Sequence, residues 1–105
     1  MWNKKRQDRD EREDLVFQCV DSVAEVLRED NRLLFVGRIS SYDSDAGEIR
    51  VDLQRGAETP RGILYNTPVK LQVHQGNQWG TLVMVYGNVL TCAGDYWCVK
   101  VNNAI

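Results

Sequence analysis

The sequence is poor in the residues on which metal-dependent and hydrolytic chemistry usually relies. It contains one histidine, His74, and three cysteines with no Cys-x-x-Cys pair. Structural zinc sites need four such ligands at characteristic spacings, and these four residues do not have that spacing. No Gly-x-Ser-x-Gly segment, phosphate-binding loop or His-Glu-x-x-His motif occurs. His74 falls on the polar side of a predicted strand, which indicates a surface residue and not a general base. We therefore expect no catalytic activity, no metal site and no cofactor.

Long apolar runs are also absent, since none approaches the roughly 20 residues that a membrane-spanning helix needs. The first six residues are basic, but acidic residues follow them where a secretory signal would have an apolar segment. We therefore expect no membrane insertion and no secretion. The odd cysteine count, from Cys19, Cys92 and Cys98, fits a reducing compartment and a cytoplasmic location. Cys92 and Cys98 flank a predicted turn, so a disulfide across that hairpin is the alternative.

The sequence also lacks a large excess of charge of one sign. The net charge is −2, which argues against a dedicated polyanion binder and makes nucleic acid an improbable partner. Residues 3–14 are nearly all charged or amide, with basic and acidic side chains interleaved. This composition predicts a charged N-terminal arm over residues 1–14, either solvated or forming the frayed start of a helix. A phosphate-binding arm is the alternative, although the interleaved carboxylates would cancel much of its attraction.

Alternating apolar and polar residues are the strongest structural signal in the chain. Ile49, Val51 and Leu53 alternate with polar residues over 48–54, and the same pattern fills residues 68–74. A period of two places alternate side chains on opposite faces of a strand, so both segments are predicted to be half-buried strands. Further strands are predicted over 33–41, 79–86, 88–92 and 96–102, with a short one at 63–65. About six strands at this spacing predict a small antiparallel barrel over residues 33–102.

The segment 15–27 has a different period. Its apolar residues recur at spacings of three, four and seven, which predicts one amphipathic helix over residues 15–29. Acidic residues at 10–14 would then lie near its N-terminus, where the macrodipole favours them. The valines weaken an isolated helix, so its apolar face should be buried against the barrel or a second copy of the chain. A strand is the alternative. The predicted fold is a single mainly β (α+β) domain: one amphipathic helix followed by a six-stranded antiparallel barrel.

Three segments together resemble one known family. Residues 35–51 resemble the strand–turn–strand of PilZ domains, and residues 63–71 resemble the entry into the middle strands of that family. Residues 85–89 and 96–101 resemble its closing hairpin, with a glycine before the penultimate strand and aromatic residues in the last one. The resemblance covers about residues 33–101 and consists of an order of strands and turns. It implies a PilZ-like six-stranded barrel.

The resemblance also implies a ligand, because PilZ domains are best known as receptors for the bacterial second messenger cyclic di-GMP. Receptors of this family use an Arg-x-x-x-Arg segment and an Asp/Asn-x-Ser-x-x-Gly turn, and guanidinium groups suit both phosphates and guanine. Arg28 and Arg32 match the first motif. The turn motif can be aligned in two ways. In one alignment Ser44 and Gly47 match its Ser and Gly, but Tyr42 stands in place of the Asp or Asn. In the other, Asp52 matches the Asp, but Gln54 and Ala57 stand in place of the Ser and Gly. The candidate ligand-binding residues are Arg28, Arg32, Ser44, Gly47, Asp52 and Arg55.

Because both motifs are incomplete, the sequence predicts a non-enzymatic regulatory or protein-interaction module with a degraded nucleotide site. Such a module would act through a protein partner or as a homodimer formed by the 15–27 helix face. The alternative function is a working cyclic di-GMP receptor. A weaker alternative is a small barrel that binds nucleic acid, against which the acidic balance counts.

Overall fold

The computed structural model describes residues 4–54, 60–75 and 82–105, with the side chains of the first helix described from residue 11 onward. This part of the chain contains one helix and six strands: α1 (Lys4–Phe17), β1 (Val23–Arg28), β2 (Leu33–Asp43), β3 (Glu48–Leu53), β4 (Pro68–His74), β5 (Leu82–Cys92) and β6 (Tyr96–Ala104). The strands form a closed barrel in the order β1-β2-β3-β6-β5-β4, and every neighbouring pair is antiparallel. The predicted fold class, a mainly β six-stranded antiparallel barrel preceded by one helix, is confirmed.

Two three-stranded meanders make up this barrel. Strands β1, β2 and β3 form the first, and β4, β5 and β6 form the second. Two seams join them: β1 pairs with β4 from Val23↔His74 to Arg28↔Val69, and β3 pairs with β6 from Glu48↔Lys100 to Asp52↔Tyr96. Because both seams are paired, none of the described strands is left as an unpaired sheet edge.

The core follows from the alternation along the strands. On β4 the inward residues Val69, Leu71 and Val73 are buried, and the polar residues between them face outward. Trp97 of β6 is completely buried, and the Phe35 ring meets it edge-on with centroids 4.8 Å apart. Aromatic pairs in this geometry add about 0.5–1.5 kcal/mol beyond the area they bury. A single apolar interior therefore fills the barrel.

The helix predicted over residues 15–29 is wrong in its bounds. Helix α1 ends at Phe17, and Val23–Arg28 forms strand β1, which the sequence offered only as the alternative. Asp21, with φ 69°, turns the chain between them, and its amide donates to the Ile39 carbonyl at 2.7 Å. Ala24 and Val26 then point into the barrel, and β1 bonds to β2 on one side and β4 on the other. The hydrogen bonds of β1 to two neighbouring strands outweigh the helical spacing of its apolar residues. The β-branched valines also favour a strand over a helix.

This correction removes the face on which a homodimer was expected. Of the apolar residues that would have formed it, Val16, Cys19, Val26 and Leu27 are buried in the chain's own core, and Leu15 and Val20 pack against that core. Homodimerisation remains a prediction, but it needs another surface.

Helix α1 carries most of the residues that the sequence assigned to a charged arm. Its first turn contains no acidic residue and its last turn no basic one, so its terminal turns lack the charges that complement the macrodipole. Its C-terminal end is held by packing, because Val16 and the following Cys19 enter the core and Arg12 donates to the Asn102 carbonyl at 2.9 Å. In the described part of the chain, no helix has the length and apolar character needed to cross a membrane.

Other element bounds also differ from the prediction. The strands expected over 79–86 and 88–92 are one strand, β5, with a register shift between Tyr86 and Gly87. Residues 79–81 lie outside the described residues, and residues 63–65 form no strand. The count of six holds because β1 replaces the strand lost by this fusion. Cys92 pairs with Trp97 and not with Cys98, and both thiols are free, so the alternative of a hairpin disulfide is wrong.

The register shift predicts that substitution by alanine destabilises the protein much more at Gly87 than at Gly94. A Cβ at Gly87 would lie closer to the Lys100 carbonyl oxygen than van der Waals contact allows and 2.7 Å from Val99 Cγ1, whereas one at Gly94 would meet nothing within 4 Å. We expect Gly87→Ala to lower the free energy of unfolding by about 3 kcal/mol and Gly94→Ala to change it by less than about 0.5 kcal/mol. Chemical denaturation of both variants measures this, and equal losses would contradict the close packing at Gly87.

Candidate functional site

Ser44 and Gly47 lie in the turn between β2 and β3. Asp43 Oδ1 accepts hydrogen bonds from the amides of Asp45 at 3.0 Å and Ala46 at 3.2 Å, and Gly47 has a φ of 68°. These features close the turn, which spans residues 44–47 between the two strands. Ser44 and Gly47 line a hollow of about 250 Å³ to which Arg12 and Lys100 also contribute. Lys100 Nζ donates to the Ala46 carbonyl at 2.8 Å, so part of its hydrogen-bonding capacity is already used.

Arg28 and Arg32 lie at the β1–β2 hairpin, at the other end of β2. The Arg28 amide donates to the Arg32 carbonyl at 2.9 Å, and the Arg32 amide donates to Asp30 Oδ1 at 3.0 Å. Both side chains are exposed. Arg28 lines a second hollow, of about 340 Å³, together with Glu29 and Asp30. The two carboxylates reduce the attraction of this hollow for a phosphate.

Asp52 lies on the outer face of β3 and already has a cationic partner. Its Oδ1 accepts a hydrogen bond from Arg50 Nε at 2.9 Å, and the Arg50 guanidinium lies over the Tyr96 ring, 4.1 Å from its centroid. The hydrogen bond to Asp52 raises the pKa of Arg50 above its usual value, and the nearby negative charge adds to the effect. Asp52 also lines a third hollow, of about 260 Å³, with Arg38. Arg55 lies outside the described residues.

The predicted ligand residues therefore do not converge. One hairpin precedes β2 and the other follows it, and eleven residues of strand span about 35 Å when extended. The three groups of candidates line three different hollows. Recognition of one dinucleotide needs the arginine pair and the turn to face the same ligand. The described geometry gives no common surface to Arg28 and Ser44.

The three cysteine thiols are not activated as nucleophiles. Burial raises the pKa of the Cys19 thiol to about 11, and burial also raises the pKa of Cys92. The pKa of Cys98 is raised by burial first and then by Glu48, with Arg50 opposing. Because the thiolate is the reactive form, all three are poor nucleophiles near neutral pH.

His74 contacts its neighbour across a seam of the barrel. Its Nε2 lies 2.7 Å from Glu25 Oε1, joining β4 to β1. The His74 side chain is only 12% exposed, so it is more covered than the predicted surface residue. Within the described residues, no group of three or more His, Cys, Asp or Glu side chains is placed to hold a metal ion.

The most distinctive surface feature was not predicted. Residues 64–67, which we call the apolar turn, expose Leu64 by 73% and Tyr65 by 74%. Asn66, with φ 71°, reverses the chain, and its amide donates to the Val89 carbonyl at 2.7 Å. Thr67 Oγ1 donates to the Leu64 carbonyl at 2.7 Å. The sequence analysis predicted a short strand at 63–65, where the structure has this turn.

A groove lies directly beside the apolar turn. It has a volume of about 510 Å³ and crosses the outer faces of β4, β5 and β6. Asn88, which helps to line it, donates from Nδ2 to the Asn66 carbonyl at 3.0 Å and so ties the groove to the turn. The other lining residues are Glu29, Pro68, Val69, Lys70, Tyr86, Gly87 and Asn102.

Comparison with known proteins adds no identification: no family model, curated protein or solved structure matches the chain. The resemblance to PilZ domains therefore stays a prediction.

The raised pKa of the Cys19 thiol predicts that the stability of the protein depends on pH. Below pH 9 the Cys19 thiol is protonated in both the folded and the unfolded chain. Above pH 9 the unfolded chain loses the proton first, because the pKa of this thiol in the folded protein is about 11. We expect the unfolding free energy of the native protein to fall between pH 9 and 11 by about 2 kcal/mol more than that of Cys19→Ala. Urea unfolding across this range measures it, with Val16→Ala, which also truncates a buried side chain but removes no thiol, as control. Parallel pH profiles for the native protein and Cys19→Ala would contradict it.

Proposed function

We propose that this domain is a non-enzymatic protein-interaction module and that the apolar turn is its contact site. The supporting observation is the exposure of Leu64 and Tyr65, each nearly three-quarters accessible to solvent on a turn that is otherwise tightly bonded. An adjacent aliphatic and aromatic pair left in water is typical of a surface that a partner covers. Tyrosine in particular is enriched among residues that dominate the free energy of protein binding.

The rigidity of the turn favours this interpretation. The amides of Asn66, Thr67 and Val89 donate within or across it, and the side chains of Thr67 and Asn88 add two further hydrogen bonds. A segment that is ordered before binding loses little conformational entropy when the partner arrives. The turn is thus suited to presenting Leu64 and Tyr65 in a fixed direction.

A cyclic di-GMP receptor remains the second candidate. The observation in its favour is the presence of Arg12 and Lys100 at the Ser44–Gly47 hollow, since cations suit a phosphate, but Glu13 and Asp45 line the same hollow and oppose this attraction. Against it, both cations already donate to backbone carbonyls, Arg28 lies beside two carboxylates, and Asp52 is paired with Arg50. The nucleic-acid alternative has the net charge of −2 against it. Raised thiol pKa values support the absence of a catalytic role.

Calorimetric titration with cyclic di-GMP separates the two candidates. We expect no saturable heat at micromolar concentrations, because the candidate arginines and the turn do not face one ligand. Micromolar affinity that disappears in an Arg28→Ala/Arg32→Ala double variant would instead establish the receptor.

Variants of the apolar turn test the interaction module itself. Affinity capture from the cells that express the chain, followed by calorimetry with the purified captured protein, should show that Leu64→Ser/Tyr65→Ser weakens binding about 30-fold or more. Leu82→Ser, which alters a half-exposed leucine on β5, is the matched control and should bind as the native protein does. Equal affinities of the turn variant and the control would exclude the turn as the contact site.

A further inference from the structure

We propose that the partner of the apolar turn is a second copy of this chain, with Leu64 and Tyr65 of each copy entering the groove of the other. This inference rests on the proposed function of the turn and adds the identity of its occupant. It replaces the dimer face expected on residues 15–27, which the chain's own core occupies.

The position of the groove supports a reciprocal contact. Thr67 ends the apolar turn and Pro68, the next residue, already lines the groove, while Asn88 bonds to the turn and lines the groove as well. A projection and a recess side by side on one surface form a self-complementary patch. A two-fold axis through such a patch lets each copy contribute one projection and receive one.

The walls of the groove suit the side chains that would enter it. Pro68 and Tyr86 offer apolar surface, and the opening of about 510 Å³ lies within the range of roughly 300–1,000 Å³ in which proteins enclose compact ligands. Tyr86 and Lys70 are cross-strand neighbours on β5 and β4. An incoming tyrosine ring can therefore meet an aromatic ring and the alkyl stem of a lysine together.

The charges beside the two features are complementary. Arg61, exposed just before the apolar turn, has no ion pair within residues 4–54, 60–75 and 82–105. Glu29, exposed at the rim of the groove, likewise has none there. Reciprocal insertion brings Arg61 of one copy towards Glu29 of the other, and the symmetry makes this pairing twice. Opposite charges at the rim of an interface fix its register and steer association.

The area involved fits a reversible dimer. Two large side chains together bury about 300 Å², and the lining of the groove exposes less than that, so the two insertions bury less than about 1,200 Å² in total. Interfaces of this size are typical of weak, transient complexes. We therefore expect a weak monomer–dimer equilibrium, with a dissociation constant on the order of 100 μM.

Sedimentation equilibrium of the full chain, from micromolar to millimolar concentration, measures this. The native protein should dimerise reversibly. Leu64→Ser/Tyr65→Ser should raise the dimer dissociation constant about 30-fold or more, whereas the control Leu82→Ser should stay within about 2-fold. Because Leu64 and Tyr65 are exposed, the thermal unfolding of the turn variant should match that of the native protein at concentrations well below the dissociation constant, where both are monomeric.

A charge exchange tests the reciprocal arrangement. Arg61→Glu and Glu29→Arg should each weaken the dimer about 10-fold, because each leaves like charges opposed. The double variant Arg61→Glu/Glu29→Arg restores opposite charges and should return to within about 3-fold of the native dissociation constant.

Three results would overturn the inference: a native chain that stays monomeric at millimolar concentration, a dimer unaffected by Leu64→Ser/Tyr65→Ser, or charge variants whose effects simply add in the double variant. A monomeric chain whose captured partner still requires Leu64 and Tyr65 would overturn only the second copy as occupant. A dimer unaffected by the turn variant, together with unchanged binding of a captured partner, would overturn the proposed function too.

Discussion

The pairing of β1 with both β2 and β4 is the constraint on which the barrel depends. Without β1, the strands β2 and β4 would each present a free edge, and the inward face would lack Ala24 and Val26. Free edges invite pairing with other chains, and a gap in the wall would expose the core around Leu71 and Trp97 to water. The six-residue strand therefore decides whether the sheet is an open surface or a closed cylinder.

That same strand marks the limit of what the sequence could predict. β3 and β4 were predictable because strict alternation, as in Ile49 and Val51, is incompatible with a helical face. Residues 23–27 fit both the helical and the strand pattern of apolar residues. Only pairing with the neighbouring strands, which are distant in sequence, decides that they form a strand. For the candidate site, the turn around Ser44 and Gly47 was predicted correctly. Its separation from Arg28 follows from the strand predicted over 33–41, which lies between them and which the structure extends to Leu33–Asp43.

The outer wall of the barrel divides into surfaces with different chemistry. On β3 and β6 the polar groups satisfy one another: Asp52 holds Arg50, which lies on Tyr96. At residues 64–67 the hydrogen bonds are made by the backbone and by the side chains of Thr67 and Asn88, and the side chains of Leu64 and Tyr65 stay exposed. A surface whose charges are mutually neutralised has little to offer a dinucleotide, whereas uncovered apolar side chains on a rigid support favour contact with protein.

The division into two meanders has a consequence for how the chain folds. Each meander contains only hairpin contacts between strands adjacent in sequence, so each can form at a small loss of loop-closure entropy. The seams unite residues separated by about half the chain, such as Val23 and His74, and raise the contact order of the whole barrel. Docking of two preformed hairpin pairs, and not formation of any one hairpin, is then the step expected to limit the folding rate.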